Sequence, residues 1–463
     1  MKKGIFLTFC ILGVLLLQAQ NVTFTVKGDS LGGKTVKMSY FDDRISLLEK
    51  EIGSKKLSDG ETHAEFQASL SGVKEMVLKV NLREFHFLAR PGTKYSFEVL
   101  PWQDTAYSFA FKEILPVKMS MEKYDVINNS VEDADTTLEN FLESNYRMLS
   151  IKNKDAKLAF DSLQQYLADK YKADEYSSDY IKYEFAAVSY ALGLDSKKAI
   201  RDSLFKKSPV LYDNIGYMDC FNTVFSRYFS QGYKFIKLSD IEKWLDNNDY
   251  AAFNDALGRD GVLENEIFRE LVFLQGMKDA FLDGIFSRER ILAMLNTFIG
   301  QTKFTQHKEI AANLTEYLRS KDFSGKKTKP LEFKDIDGNK VSITQYNDKP
   351  LLLCIVRLSD ISSLKELETI HFYYDSIKNN CNVLVLCCDN TFESMYNFVK
   401  NSKSGSKYQF QFVHFDFNWD IQQEYKLHFF PAFLLIGTDG TVLQNPMPAP
   451  SSGVLKKFFD QKQ

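Results

Sequence analysis

The first quarter of the chain is a succession of short runs in which apolar and polar residues alternate. The runs cover residues 22–26, 35–40, 76–80, 84–87 and 95–99, and turn pairs such as Gly32-Gly33 and Pro91-Gly92 occur between runs. Alternation with a period of two is typical of strands that bury one face, and many short strands at regular spacing are typical of a sandwich. We therefore predict an antiparallel β-sandwich domain over residues 20–115, which contains no cluster of catalytic residue types.

The middle of the chain, residues 116–323, has a helical pattern instead. Between positions 117 and 329 there is one proline, Pro209, and a proline costs about 3 kcal/mol inside a helix. Amphipathic segments follow one another, and the clearest aromatic series is Tyr217, Phe221, Phe225, Tyr228 and Phe229. Its spacing indicates one buried helical face. We predict a helical domain in which Cys220 behaves as a small buried apolar residue.

The last part of the chain, residues 324–463, alternates predicted strands and helices. Six consecutive apolar residues, Leu351–Val356, indicate a central strand that is buried on both faces. A polar turn over residues 359–363 precedes a helix expected from about Leu364, and a second apolar run over 382–388 is followed by another helix. This order predicts a parallel α/β core. The whole chain is therefore predicted to be a multidomain α+β protein.

The N-terminus has the pattern of a signal peptide. Two lysines follow Met1, residues 5–17 are almost all apolar, and Ala19 offers a small residue before a cleavage site. This apolar run is shorter than the roughly 18 residues that a membrane span needs, and no later segment reaches that length. We predict removal of residues 1–19 and export to the periplasm, with a secreted or envelope-associated location as alternatives. No integral membrane span is expected.

Charge and motif content argue against several functional classes. The 463 residues include 58 Lys and Arg against 61 Asp and Glu, a formal charge of -3, so no basic field favours nucleic acid. No two of the six histidines are three or four positions apart, and the sequence has no P-loop and no Gly-x-Ser-x-Gly motif. We predict no nucleic-acid partner, no cofactor and no metal.

Cysteine is the remaining candidate for chemistry. Of the six cysteines, Cys10 lies in the predicted signal peptide. Five cysteines remain in the exported chain, and in an oxidising compartment an odd number leaves at least one that is free or pairs with another molecule. The five others are Cys220, Cys354, Cys381, Cys387 and Cys388. No two cysteines form a C-x-x-C.

Four stretches of the C-terminal region carry a family resemblance. They are P-L-E-F-K-D-I-D-G-N-K-V-S-I, K-P-L-L-L-C-I-V, V-L-V-L-C-C-D and Y-K-L-H-F-F-P-A-F-L-L-I-G-T-D-G-T-V-L. The region resembles the TlpA/ResA branch of the thioredoxin superfamily, which is related to the AhpC/TSA peroxiredoxins. The resemblance implies a thioredoxin-like domain, a role in cell redox homeostasis and a cis proline at Pro431. The three-part build is similar to that of an exported Bacteroidetes group of TlpA-like proteins.

The sequence departs from this family at the redox motif. The family carries W-C-x-x-C-(K/R)-x-E after the central strand, and alignment on Glu366 places the two sulfur positions on Asp360 and Ser363. A carboxylate and a hydroxyl cannot carry out thiol–disulfide exchange. The structural alternative is helix capping, by Asp360 as N-cap or by a capping box of Ser363 and Glu366.

Other thiols are the alternative source of redox chemistry. Cys354 lies in the predicted central strand, and Cys387 and Cys388 end the next strand with side chains on opposite faces. Cys354 could therefore lie near one of them, whereas Cys381, at the strand entrance, is the best candidate for an exposed free thiol. His428, three residues before Pro431, is expected near the family's active-site face.

Three functional hypotheses follow. The first is an exported, non-catalytic module that binds periplasmic protein or peptide clients through His428, Phe430 and Pro431, because a groove at the cis proline can pair with extended polypeptide without sulfur chemistry. The second is a thiol–disulfide oxidoreductase or peroxidase-like antioxidant enzyme that uses the non-motif cysteines. The third is a structural envelope component.

Overall fold

A computed structural model describes residues 20–81, 83–102, 113–121, 125–230, 236–389, 391–403, 405–416, 425, 430–445 and 447–453. These residues form two compact units. The first contains the described residues up to Phe41 together with Glu49–Pro101 and Ile114–Glu132, and the second contains Asp42–Leu48, Trp102, Glu113 and the residues from Asp133 onward. The predicted signal peptide, with Cys10, lies outside the described residues. The three-domain division at 115/116 and 323/324 stays a prediction.

The N-terminal strands form two sheets. The strands are β1 (Gln20–Lys27), β2 (Thr35–Phe41), β3 (Glu49–Lys56), β4 (His63–Leu70), β5 (Lys74–Val80), β6 (Arg83–Ala89), β7 (Lys94–Val99), β8 (Glu113–Ile114) and β9 (Val117–Met121). Within the described residues the sheet orders are β4-β1-β7-β9 and β3-β2-β5-β6-β8. Aromatic rings from the two sheets pack together, with the Phe87 centroid 5.9 Å from that of Phe24 and 4.8 Å from that of Phe97. The sandwich prediction is confirmed.

One strand pair differs from the antiparallel prediction. Strands β1 and β7 run parallel, with Thr23 opposite Lys94. A parallel pair needs a long connection rather than a hairpin, and these two strands are joined through the intervening strands. Strand β9 also continues the first sheet beyond the predicted boundary at residue 115, because Val117 pairs with Val99.

Helices occupy the middle of the chain. They are α1 (Val126–Ser150), α2 (Lys154–Tyr171), α3 (Glu175–Ala191), α4 (Lys197–Ile200), α5 (Ile215–Val224), α6 (Leu238–Asp246), α7 (Tyr250–Leu257), α8 (Glu266–Asp283), α9 (Arg288–Gln301) and α10 (Thr305–Lys321). Side-chain oxygens of residues such as Asn153, Asp174 and Asn214 accept backbone N–H groups at helix starts. These N-caps satisfy donors that the helix itself leaves unpaired, so local sequence defines where the helices begin.

An aromatic core holds helices from α3 to α10 together. The rings of Phe205, Phe225 and Phe268 meet with centroids 5.2–5.7 Å apart. The predicted buried series and Cys220 all lie in this core, each no more than 4% exposed. The loop between β2 and β3, which belongs to the same unit, adds the fully buried Ile45 to this core. The predicted burial is confirmed, but the series does not form one helical face, because α5 ends at Val224 and Phe225, Tyr228 and Phe229 follow it.

The C-terminal part is a helix-flanked sheet. Its elements are β10 (Glu332–Asp335), β11 (Lys340–Ser342), β12 (Leu351–Val356), α11 (Ile361–Ile377), β13 (Asn382–Cys387), α12 (Phe392–Tyr396), β14 (Gln411–His414), β15 (Ala432–Ile436) and β16 (Val442–Gln444). Among the described residues the strand order is β11-β10-β14-β13-β12-β15-β16. Strands β12, β13 and β14 run parallel, and β15 runs antiparallel to β12. All six residues of β12 are buried, so the predicted central strand is confirmed.

The segment that follows α10 is tied to the C-terminal sheet. The Arg288 Nη1 atom donates to Asp322 Oδ1 at 3.0 Å and to the Asn445 carbonyl at 3.2 Å. The Gly325 N–H donates to the Val442 carbonyl at 2.8 Å. These bonds explain why the helices and the C-terminal sheet belong to one compact unit. No described helix combines the length and apolar character that a transmembrane crossing requires.

Candidate functional site

Asp360 begins helix α11 at the turn that follows the central strand β12. Its side chain accepts the Ser363 N–H at 3.0 Å and the Ser362 N–H at 3.4 Å, and it also accepts the hydroxyls of both serines. Partial burial raises the Asp360 pKa, but the hydrogen bonds from Ser362 and Ser363 outweigh it, and the net pKa lies below the usual value. Asp360 is therefore a charged N-cap at the positive end of a helix dipole.

Ser363, at the second predicted sulfur position, is fully buried. Its hydroxyl donates to Asp360 at 2.9 Å and accepts the Arg357 N–H at 3.3 Å. The predicted capping box with Glu366 does not form, because Glu366 instead accepts the Ser451 N–H at 2.9 Å. Ser363 lies inside the first helical turn, where its hydroxyl reaches back to the preceding turn rather than to a helix donor.

Asp389 holds the turn between β12 and α11 from the neighbouring strand. It follows β13, is 6% exposed, and its carboxylate accepts the Leu358 N–H at 2.9 Å and the Ser359 N–H at 3.3 Å. A buried carboxylate that accepts two backbone donors helps to fix the path of the turn. Asp389 is thus a positioning residue for Asp360.

His414 supports Asp389 from β14. Its Nδ1 atom accepts the Asp416 N–H at 3.1 Å, so its Nε2 atom carries the proton and donates to the Asp389 carbonyl at 3.0 Å. Burial lowers the His414 pKa, although the bond to the Asp389 carbonyl acts in the opposite direction. His414 is a neutral structural residue rather than an acid or base facing solvent.

Pro431 lies beside the end of the central strand. The Phe430-Pro431 peptide bond is cis, as the resemblance implies. Ala432 lies opposite Ile355 in the β12–β15 pair, so Pro431 comes next to the last residue of β12. The Arg357 guanidinium lies 5.1 Å from the centroid of the Phe430 ring, a cation–π contact. His428 lies outside the described residues.

The surface at this turn has an exposed apolar residue. Ile361, the first residue of α11, is 83% exposed. It follows Asp360 directly and occupies a position between the two predicted sulfur positions. Ile361 belongs to the helix that follows β12, and Phe430 and Pro431 precede the strand that pairs with β12. The charged residues Asp360 and Arg357 lie on the same turn as Ile361.

The cysteines of the described residues are all free and all buried. Cys354, Cys381 and Cys387 share one face of the C-terminal sheet, and Cys388 lies in the core on the other face. The prediction that Cys387 and Cys388 point to opposite faces is confirmed. Cys354 and Cys387 are diagonal neighbours on adjacent strands, because Val356 is opposite Cys387.

Burial of the C-terminal cysteines disfavours the thiolate form that exchange requires. Desolvation raises the pKa of Cys354, Cys387 and Cys388 well above the usual thiol value, and burial raises that of Cys381 to about 12. The expectation that Cys381 is exposed is wrong, since it is 1% exposed. Its backbone N–H donates to the Ile377 carbonyl at the end of α11. This bond holds the start of β13 against the end of the helix. The thiolate is the nucleophile in disulfide exchange, so burial and a raised pKa both disfavour exchange at these four positions.

Sequence reasoning did not identify Asp389, Arg357 or His414 as parts of this site. The sequence did contain a signal for Asp389, which is a charged residue directly after the buried run that forms β13. Because β12 and β13 are parallel neighbours, the residues that follow them lie at the same edge of the sheet. For metals, the part of the chain that the structure describes contains no group of three or more His, Cys, Asp or Glu residues that could hold an ion.

Residues 347–442 match the family model described as thioredoxin-like. The C-terminal domain is therefore thioredoxin-like, and the predicted fold of this region is confirmed. No curated protein matches the chain.

Solved structures similar to the chain include the thioredoxin domain of a thiol-disulfide oxidoreductase from Bacteroides vulgatus, with 18% identity, 29% of this chain and 97% of that chain covered, and a TM-score of 0.26. A thiol:disulfide interchange protein from Bacteroides sp. has 17% identity, coverages of 30% and 92%, and a TM-score of 0.27. A reduced 2-Cys peroxiredoxin from Plasmodium vivax has 18% identity, coverages of 30% and 95%, and a TM-score of 0.26.

Proposed function

We propose that the protein is an exported thioredoxin-like module that binds protein or peptide clients without thiol–disulfide exchange. The observation that carries the proposal is the identity of the residue at the start of α11. Asp360 caps the helix where a thioredoxin-like enzyme places its reactive sulfur, and the dipole that would stabilise a thiolate there stabilises a carboxylate instead. A carboxylate at this position can accept hydrogen bonds but cannot exchange electrons with a disulfide.

The surface around Asp360 offers the means of binding. Ile361 presents exposed apolar area, Phe430 is half-buried next to the Arg357 guanidinium, and Asp360 and Arg357 carry opposite charges. A peptide that lies across the cis Pro431 would bury Ile361, and complete burial of an Ile side chain contributes about 1.5–3 kcal/mol. The clients that fit are extended segments with an apolar side chain facing Ile361. We place them in the periplasm because residues 1–19 have the pattern of a signal peptide.

The alternative, an oxidoreductase or peroxidase, needs an accessible thiolate. The burial of Cys354, Cys381, Cys387 and Cys388 and the upward shift of their pKa weigh against it. A structural envelope role makes no use of the exposed Ile361. The binding module is therefore the proposal that uses the most features of the site.

A binding experiment with matched variants tests the proposal. The probe is a reduced and carboxymethylated polypeptide, which stays unfolded and cannot exchange disulfides. We expect saturable binding to the full chain and at least tenfold weaker binding to Ile361→Asp, because tenfold corresponds to about 1.4 kcal/mol. Phe372→Asp is the control, since Phe372 is 79% exposed on the same helix and about 16 Å away along the axis.

Two outcomes would contradict the proposal. Absence of saturable binding to the wild-type chain would remove its basis. Equal weakening by Ile361→Asp and Phe372→Asp would show that the turn at Asp360 is not the binding site.

A further inference from the structure

The helical part of the second unit contains an apolar groove between α1 and α3, far in sequence from the thioredoxin-like site. The groove has a volume of about 500 Å³. Its apolar lining is Leu138, Leu142 and Tyr146 from α1 and Val188 from α3. Tyr146 is 61% exposed and Leu138 is 4% exposed, so the apolar surface runs from the buried floor out to solvent.

Carboxylates border this apolar lining. Asp135, Glu139 and Glu143 on α1 and Glu184 on α3 line the same groove, whose lining contains no basic residue. Among the described residues none of these four carboxylates forms an ion pair, and Asp135 accepts a hydrogen bond from the neutral Tyr180 hydroxyl. Four carboxylates without a cation around an apolar groove repel one another at close range. A basic occupant would supply the missing charge.

The spacing of the groove residues favours a helical occupant. Leu138, Leu142 and Tyr146 form one row four residues apart along α1, and Asp135, Glu139 and Glu143 form the adjacent row. Rows with this spacing are the ridges against which another helix packs. From Asp135 to Tyr146 the rows extend over about 17 Å, which matches about three turns of a partner helix.

We propose that this groove docks a basic amphipathic helix of a partner protein, with apolar residues of the partner on Leu138, Leu142 and Tyr146 and its Lys or Arg side chains on the four carboxylates. This is the helix-in-groove mode of recognition. It is separate from client binding at Asp360, so the full chain would hold two partners at different surfaces. The acidic border disfavours anionic membranes and nucleic acids as occupants.

The test uses a synthetic helical peptide of 15 residues with Leu at i, i+4 and i+8 and Lys on the flanking positions. Its fluorescence anisotropy with the full chain should show saturable binding that weakens with added salt. A peptide with Glu in place of Lys should bind at least tenfold more weakly. The protein variant Glu139→Lys/Glu143→Lys should lose at least tenfold in affinity for the Lys peptide.

Matched controls separate the groove from general charge effects. Glu242→Lys/Glu309→Lys changes the net charge equally at exposed positions on α6 and α10 and should leave the affinity unchanged. Tyr146→Asp adds negative charge while removing apolar area, and we expect at least fivefold weaker binding. Equal effects of the two double variants, or unweakened binding to Tyr146→Asp, would overturn the proposal.

Discussion

Asp389 offers the sharpest test of how the turn before α11 is built. Its carboxylate is the acceptor for the Leu358 N–H at 2.9 Å and the Ser359 N–H at 3.3 Å, in a position that is 6% exposed. Asp389→Ala removes this acceptor and leaves two backbone donors without their partner. Because the same turn carries Asp360, loss of Asp389 should loosen the candidate site without touching it directly.

The size of the effect follows from the two orphaned donors. Each unsatisfied buried donor costs about 1–3 kcal/mol, and opening of the turn to water limits the total, so we expect a loss of about 2–4 kcal/mol. Asp389→Asn keeps one acceptor oxygen and should lose less. Asp375→Ala is the control, because its exposed ion pair with Lys378 is of a kind that contributes about 0–1 kcal/mol.

Hydrogen exchange of the native full chain, resolved by peptide mass, is the assay. Amides of residues 358–364 should exchange at least tenfold faster in Asp389→Ala, whereas peptides from α5 should keep their wild-type rates. Asp375→Ala should leave both regions unchanged. Wild-type protection of residues 358–364 in Asp389→Ala would refute the role given to this carboxylate.

Two further predictions concern Asp360 and Glu184. Asp360→Ala should destabilise the start of α11 by about 1 kcal/mol, and Asp360→Asn should destabilise it by less. Because the Asp360 pKa is lowered in the folded chain, the contribution of Asp360 to stability is present at neutral pH and is lost as pH falls through that pKa. Hydrogen exchange of residues 361–364 measures this, and equal exchange in Asp360→Ala and wild type would contradict it. Burial, and then the charges of Asp135 and Asp219, raise the Glu184 pKa from 4.5 to about 7. Ionisation of Glu184 therefore lowers the free energy of unfolding by up to roughly 3 kcal/mol above pH 7, and it has no effect below about pH 4.5, where the carboxyl is protonated in both states. In thermal unfolding, the Tm of Glu184→Gln should therefore be higher than that of wild type at pH 8 and equal to it near pH 4.5. Equal Tm values at pH 8 would refute the raised pKa.

Local pattern was sufficient to predict several parts of this structure. The unbroken apolar run of β12, the burial of the aromatic series around Phe225 and the capping role of Asp360 each depend on residues close in sequence. The cis Pro431 followed from a motif rather than from physical reasoning. These features are encoded within one element or one turn.

Other parts depend on which elements become neighbours. The role of Asp389 requires β13 to lie beside β12 in register, and a short local pattern does not define register between distant strands. Cys381 is buried because its backbone closes onto the end of α11, although its place at a strand entrance suggests exposure. The parallel β1–β7 pair and the bond of Glu366 to Ser451 are likewise products of tertiary packing.

We expect the native protein to present no exchangeable thiol at any of its five cysteines from Cys220 onward. Reaction of the native full chain with an aromatic disulfide reagent tests this expectation. Intact mass and peptide mapping then report on Cys220, Cys354, Cys381, Cys387 and Cys388. We predict no mixed disulfide on any of them during the time in which an exposed thiol reacts fully, and reaction of all five after unfolding in guanidinium. Rapid formation of a mixed disulfide on any of these cysteines in the native chain would show that an exchangeable thiol is present and would overturn the proposal of a module without thiol–disulfide exchange.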